Sequence, residues 1–191
     1  MKTSTLSVCV FCGARSGDDP DFAASARATG RMLAARNCRV VYGGGSVGMM
    51  GHLADAALKA GGQVIGVIPE ALATVELMHT GVTEMLVTGD MHERKARMHQ
   101  LSDAYLVLPG GVGSMEELFE VITWRQLAFH DCPIALFNQN GYYDGLIMQL
   151  DRMMSSGFLP GHHDKLLQAL TTVEQLAEWI QALRLPEPPA E

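Results

Sequence analysis

Short apolar runs alternate with longer amphipathic segments along most of the chain. The runs contain few polar residues, which is typical of strands that are covered on both faces in a parallel sheet. The longer segments repeat their apolar positions at helical spacing. We predict strands at 6–11, 39–42, 63–68, 84–87, 104–108 and 133–137, and helices at 20–36, 53–60, 91–101, 114–129, 141–154 and 172–184.

This alternation predicts an α/β fold, a three-layer Rossmann-like domain with a central parallel sheet. Right-handed crossovers would then place a functional site at the carboxyl ends of the strands. With 191 residues, 48% of them hydrophobic, the chain is expected to form one domain. We assign residues 1–184 to it and 185–191 to a flexible C-terminal tail.

Composition narrows the classes of partner. The net charge of −7 disfavours binding to nucleic acid or to an anionic membrane. No targeting segment or membrane span is recognisable, so we expect a cytoplasmic protein. The four cysteines are too scattered for a disulfide framework, and Cys9 and Cys12 should point to opposite faces of a strand.

The stretch from 104 to 120 carries the most distinctive chemistry. A buried strand stops at Pro109, and Gly110, Gly111 and Gly113 let the backbone approach a ligand closely. Ser114 offers a hydroxyl where we expect the helix to begin, as a cap or a phosphate ligand. Amides at such a helix start attract anions. The carboxylates of Glu116 and Glu117 follow in the expected first turn, which indicates chemistry beside a bound phosphate.

A second glycine loop comes after the second strand. Residues 43–48 fit the G-x-G-x-x-G fingerprint of dinucleotide sites, and Glu70 stands near the offset of a ribose-binding acid. However, the loop does not follow the first strand, and Gly43, Gly44 and Gly45 form a wider cradle than the fingerprint needs. The spacing therefore favours a mononucleotide over a dinucleotide.

The helix after Asp90 supplies basic side chains. Arg94 lies nearest its start and is the better candidate for ligand binding, whereas Lys95 and Arg97 fit a solvated face equally well. Residues 70–83 are expected to form a loop or short helix over the strand tips. The close histidine sets, His92 with His99 and 162 with 163, lack acidic or cysteine partners at ligand spacing, so we expect no metal site.

Three motifs together, YGGGSVGMMG, MHERKARM and PGGVGSMEE, resemble the LONELY GUY (LOG) family of cytokinin riboside 5′-monophosphate phosphoribohydrolases. The resemblance implies cleavage of a purine nucleoside 5′-monophosphate to free base and ribose 5-phosphate, without a cofactor, by a homodimer. It assigns Arg94 and Glu117 as the catalytic pair. It places around the nucleotide Lys95, residues 111–117, Thr123 and Glu76, with Gly43, Gly44, Gly45 and Ser46 on the other side of the phosphate. Ser114 stands where the family usually has threonine.

Two alternatives stay open. In the first, the enzyme is an AMP nucleosidase without a cytokinin role. In the second, the protein is a non-catalytic carrier of molybdenum cofactor or nucleotide, since relatives with this fold serve as molybdenum-cofactor carriers. Retention of Arg94 and Glu117 favours an enzyme. Members of the family have often been labelled lysine decarboxylases, but that chemistry needs a Schiff-base lysine, and none of the sequence's lysines stands in a fitting context. These are Lys2, Lys59, Lys95 and Lys165.

Overall fold

A computed structural model of the chain describes residues 5–74, 77–159 and 166–183. Strands and helices alternate along it as the sequence predicts. The strands are β1 Ser7–Phe11, β2 Arg39–Tyr42, β3 Val64–Pro69, β4 Glu84–Thr88, β5 Ala104–Val107, β6 Ile134–Phe137 and β7 Gln168–Leu170. The helices are α1 Pro20–Ala35, α2 Gly48–Lys59, α3 Met91–Gln100, α4 Val112–Gln126, α5 Asp144–Ser155 and α6 Val173–Ala182, with 3₁₀ turns at Glu70–Leu72 and Gln139–Gly141.

The strands form one parallel sheet in the order β4-β3-β2-β1-β5-β6-β7. The chain moves outward from β1 to β4 and then crosses to the other side of β1 to form β5. Neighbouring loops after β1 and β5 therefore run in opposite directions. Such a switch point leaves a crevice at the carboxyl ends of the strands, where ligands bind in open α/β sheets.

Helices cover both faces of this sheet, which confirms the three-layer fold. One apolar core joins the sheet to α1, α2 and α6, and the other joins it to α3, α4 and α5. Cys9 and Cys12 belong to different cores, as their strand positions predict. Burial raises the pKa of both thiols.

Some boundaries differ from the sequence prediction. Strand β7 was not predicted, because it has three residues and two of them are exposed, so it leaves no apolar run. Helix α2 begins at Gly48, not at residue 53. Gly48 has a φ of 64°, a left-handed backbone angle that glycine adopts without steric strain. Helix α4 begins at Val112, ahead of Ser114, and ends before Ala128, whose φ of 57° breaks the helix.

Residues 184–191 lie outside the described part of the chain, so the boundary between domain and tail stays a prediction. None of the described helices combines the length and the apolar character that a membrane crossing requires.

Candidate active site

A cavity of about 620 Å³ opens at the carboxyl ends of β1, β2 and β5. Its size lies in the range of small-molecule sites. The loops after β1 and β5 form most of its walls, and Arg94 and Glu117 face into it. The sheet topology explains the position, since this is the point at which the strand order reverses.

Arg94 and Glu117 form an ion pair across the cavity wall. Nη1 of Arg94 lies 3.1 Å from Oε1 of Glu117, and their side chains are 11% and 10% exposed. Nε of Arg94 donates to the carbonyl of Val67 at 3.1 Å, which anchors the guanidinium at the end of β3. The structure therefore brings together the two residues to which the family resemblance assigns catalysis.

The starts of two helices position this pair. Asp90 caps α3, its side chain accepting from the Glu93 amide at 2.8 Å, which places Arg94 in the first turns beside the strand tips. Glu117 projects from the buried side of α4. Because α4 begins at Val112, two residues earlier than predicted, Glu116 and Glu117 lie in its second turn and not in its first.

Burial is the main influence on the Glu117 carboxyl. Desolvation raises its pKa, and the nearby Glu116 charge adds to this, whereas the Arg94 guanidinium lowers it; the net pKa is raised. A carboxyl with such a pKa can exchange a proton more readily near neutral pH than an exposed glutamate.

The β5–α4 loop lines the cavity as predicted. Gly110, Gly111, Gly113 and Ser114 all border it. A Cβ on Gly110 would lie 2.2 Å from the Ser114 hydroxyl and 2.9 Å from the Gly13 amide, so only glycine fits there. Ser114 is not the helix cap: Gly111 takes that position, and Ser114 lies buried inside the first turn.

The glycine loop after β2 contributes less to the cavity than predicted. Only Gly43 lines it, and a Cβ there would lie 2.2 Å from Nη2 of Arg94. Gly44, Gly45 and Ser46 pair instead with residues 77–79. The Ser46 amide donates to the Leu77 carbonyl at 2.8 Å, and the His79 amide donates to the Gly44 carbonyl at 2.9 Å. This part of the loop therefore joins residues 77–79, which follow β3, to the carboxyl end of β2.

The other described residues that the sequence analysis named for the site do not line the cavity. Nζ of Lys95 bonds to Glu116 and lies 2.9 Å from Oε1 of Glu120, so it forms an ion cluster along α4. The Thr123 hydroxyl donates to the Phe119 carbonyl on the exposed side of α4. Glu70 is exposed at the end of β3 and does not line the cavity. Glu76 lies outside the described residues.

The histidines of the described chain form no metal site. His99 contacts the Tyr105 hydroxyl and packs 5.1 Å from the ring of His130, while His92 is exposed. Burial lowers the pKa of both His99 and His130. No group of three metal-ligating side chains occurs in the parts that the structure describes. Residues 162 and 163 lie outside them.

The β1–α1 loop belongs to the site, although the sequence analysis assigned none of its residues to it. Residues 13–17 line the cavity together with Phe22 and Tyr142. Gly13 donates its amide to the Pro109 carbonyl at 3.1 Å, which joins this loop to the β5–α4 loop. The signal available in the sequence was the glycine that directly follows the first central strand, because loops after central strands meet at the switch point.

Residues 50–180 match a protein-family model described as "Possible lysine decarboxylase". Of the two lysines that the structure describes, Lys59 is exposed at the end of α2 and Lys95 is held by Glu116 and Glu120. Neither borders the cavity. The described residues thus offer no lysine placed for Schiff-base chemistry in it.

Curated relatives carry a different description. The chain is 48% identical over 159 residues to a cytokinin riboside 5′-monophosphate phosphoribohydrolase of Rhodococcoides fascians, covering 83% of this chain and 80% of the relative. It is 44% identical over 169 residues to a probable enzyme of that name from Oryza sativa subsp. japonica, covering 88% and 76%.

Among solved structures, the fold is similar to that of a molybdenum cofactor binding protein from Rippkaea orientalis, with a TM-score of 0.73. That alignment covers 96% of this chain and all of the other, at 21% sequence identity. At this level of identity the similarity concerns the fold alone.

Proposed function

The chain belongs to the family of cytokinin riboside 5′-monophosphate phosphoribohydrolases, and on that premise we propose that it hydrolyses the N-glycosidic bond of a purine nucleoside 5′-monophosphate. The products are the free base, of the cytokinin type, and ribose 5-phosphate. The observation that carries the proposal is the buried Arg94–Glu117 pair on the wall of a cavity of nucleotide size.

Glu117 carries the chemistry in this proposal. Breaking an N-glycosidic bond develops positive charge on the ribose, and a carboxylate in a water-poor site stabilises that charge. The same group orients the attacking water and accepts its proton, which then passes to the departing base as the C–N bond breaks. The burial that raises the pKa of Glu117 makes the carboxylate a stronger base than an exposed glutamate.

Arg94 has two roles in the proposal. Its guanidinium favours the ionised form of Glu117, because it lowers the pKa that burial raises. Its remaining donors contact the ribose or phosphate of the substrate, since a guanidinium presents several N–H groups in a fixed plane. Nε is already bonded to Val67, so the group is oriented before substrate binds.

The β5–α4 loop is the proposed main phosphate site. Gly111 and Gly113 stand at the start of α4, whose first amides have no helical carbonyl to bond. The Ser114 hydroxyl lies close to Gly110, 2.2 Å from where a Cβ on that glycine would be. Their position next to Glu117 supports a phosphate anchored at one end of the cavity and a glycosidic bond held against the carboxylate.

Two alternatives are not favoured. A carrier of molybdenum cofactor has no need for a buried arginine–glutamate pair facing its ligand, and the similarity to such proteins is one of fold. A nucleosidase without a cytokinin role is less consistent with relatives at 44–48% identity whose names specify cytokinin nucleotides. AMP remains in the proposal as a second substrate to be compared.

A homodimer is also part of the proposal. Thr123 lies on the exposed side of α4 and does not line the cavity, so it reaches a nucleotide only if two copies place their α4 helices together. Leu127 and Phe129, just beyond α4, are 58% and 69% exposed, which supports an interface there. Sedimentation should show a dimer for the wild type and a monomer for Phe129→Glu; a monomeric wild type would contradict the proposal.

A cytoplasmic location is consistent with the thiols of the described chain. Cys9, Cys12 and Cys132 carry free thiols, as expected for a reducing compartment.

The function is tested by incubating the purified protein with N6-isopentenyladenosine 5′-monophosphate, AMP and adenosine. We expect ribose 5-phosphate and free base from the cytokinin nucleotide, and almost no cleavage of adenosine. Loss of even two charged hydrogen bonds to phosphate predicts a kcat/KM lower by about two to four orders of magnitude. Equal values for AMP and adenosine would show that the loops do not bind phosphate.

A further inference from the structure

Resting on the proposed function, we propose that Arg27, His52 and Ser16 form a hydrogen-bonded chain that fixes the Ser16 hydroxyl as a donor to the substrate phosphate. Ser16 belongs to the β1–α1 loop and borders the cavity. The loop would thus supply the second wall of the phosphate site, a role that residues 44–46 do not fill because they pair with residues 77–79.

The series of hydrogen bonds begins at Arg27 in α1 and ends at Ser16, at the cavity. Nη1 of Arg27 lies 3.2 Å from Nδ1 of His52, and Nε2 of His52 lies 3.2 Å from Oγ of Ser16. Arg27 and His52 are half-buried between α1 and α2, so the contacts are shielded from bulk water. Side chains from two helices therefore meet behind one hydroxyl of the β1–α1 loop.

The direction of these hydrogen bonds follows from the donors available. A guanidinium has only donors, so Nδ1 of His52 must accept from Arg27. A neutral imidazole carries its single proton on the other nitrogen, and Nε2 therefore donates to Ser16. The serine oxygen is then occupied as an acceptor, and its own proton is left to point into the cavity. An anion with acceptor oxygens is the ligand that such a donor fits.

The loop that carries Ser16 is fixed on two sides. The Gly13 amide donates to Pro109 at the base of the β5–α4 loop. A Cβ on Gly48 would lie 2.3 Å from the Ala14 carbonyl oxygen, so the start of α2 contacts the loop backbone directly. Fixed donors cost less conformational entropy on binding than mobile ones.

Charge at the cavity favours the same ligand. Arg94 is paired with Glu117, but Arg15, which lies next to Ser16 and also borders the cavity, forms no ion pair with a carboxylate of the described residues. An exposed guanidinium beside a fixed hydroxyl donor is suited to a phosphate dianion. The Ser16 side of the cavity would then face the phosphate from opposite the Gly111–Gly113 amides.

Binding of ribose 5-phosphate measures this role without requiring turnover. Calorimetry should give a dissociation constant for Ser16→Ala that is about 10- to 100-fold higher than for the wild type, as expected for a lost hydrogen bond to a charged group. Ser155→Ala is the matched control, since its hydroxyl donates to the Arg152 carbonyl on exposed α5. It should bind as the wild type does.

His52 acts only through Ser16, and a double-mutant cycle tests this. His52→Leu should weaken ribose 5-phosphate binding less than Ser16→Ala does, and should weaken it no further when Ser16 is already alanine. His52→Gln should restore much of the affinity, because an amide offers one acceptor and one donor. In turnover, the loss should appear in KM for the nucleotide rather than in kcat.

Two results would overturn the inference. Unchanged ribose 5-phosphate affinity in Ser16→Ala would show that the hydroxyl does not face the phosphate. Equal, additive losses from His52→Leu in both backgrounds would show that His52 is merely structural. If the wild type cleaves no nucleotide but the binding pattern holds, the proposed reaction fails and the phosphate contact stands.

Discussion

Arg94 on α3 and Glu117 on α4 face each other across the cavity wall with 3.1 Å between Nη1 and Oε1. Both side chains are about nine-tenths buried. Each charge therefore depends on the other, because removing one partner leaves the second charge without compensation in a site of low dielectric. The contact thus fixes the two side chains relative to each other, and it opposes the effect of burial on the pKa of Glu117.

Gly43 controls that contact from the opposite side. In Gly43→Ala, the new Cβ would lie 2.2 Å from Nη2 of Arg94, and the end of a flexible side chain can move away. We expect the fold to persist and kcat/KM to fall by about 100-fold, the cost of a misplaced catalytic group. Steady-state kinetics and thermal unfolding measure the two effects. Gly145→Ala on α5 is the control, since nothing lies within 4 Å of its Cβ; full activity in Gly43→Ala would contradict the account.

The pH profile should report the burial of Glu117. The pKa of this carboxyl is raised, so the carboxylate that the reaction needs forms at higher pH than in an exposed glutamate, whose pKa is about 4.3. The acidic limb of kcat/KM should accordingly have its midpoint above that value. Glu116→Gln should move the midpoint down, because the Glu116 charge raises the pKa.

The raised pKa of Glu117 also makes the free energy of unfolding depend on pH, in a direction that can be stated. A raised folded-state pKa means that the folded protein holds the Glu117 proton more tightly than the unfolded chain. This contribution is complete below the unfolded pKa and is lost as pH rises through the folded one. Glu117→Gln should thus flatten the pH dependence of the unfolding free energy in this window. An unchanged slope would contradict the assignment of burial as the cause.

Helix packing gives a prediction that is independent of the site. In Gly30→Ala, the Cβ would lie 2.3 Å from the Leu53 carbonyl oxygen, and this backbone cannot yield without separating α1 from α2. We expect a loss of about 1–3 kcal/mol in urea unfolding. Gly145→Ala, also in a helix but open around Cβ, should gain up to about 1 kcal/mol. Equal stability of the two variants would contradict this account of the packing.

The three-layer fold could be predicted from the sequence because the central strands are uninterrupted apolar runs. The strand Arg39–Tyr42 and the cap at Asp90 lie where the pattern predicts them. Strand β7 escaped prediction because it forms at the sheet edge through pairing with β6, a tertiary contact that three residues do not encode.

Site residues could be predicted where a reactive side chain directly follows a recognisable cap or turn in the sequence. Arg94 follows a cap, and Glu117 follows a glycine turn, so both could be placed at the strand tips. Ser46 could not, because its bonds to Leu77 depend on how a distant segment folds back. Ser16 was missed for the same reason, since its partner His52 lies 36 residues away on another helix.

The most direct test of the account is the rate of base release by Glu117→Gln from N6-isopentenyladenosine 5′-monophosphate. The amide keeps the size of the side chain and a hydrogen bond to Arg94 but cannot carry the negative charge. With Glu178→Gln as the control, an exposed carboxylate on α6 that does not line the cavity, we expect kcat to fall by about 100- to 10,000-fold in Glu117→Gln alone, with ribose 5-phosphate affinity largely retained. A kcat within about tenfold of the wild type would contradict the catalytic role of Glu117 and favour a protein that holds its ligand without cleaving it.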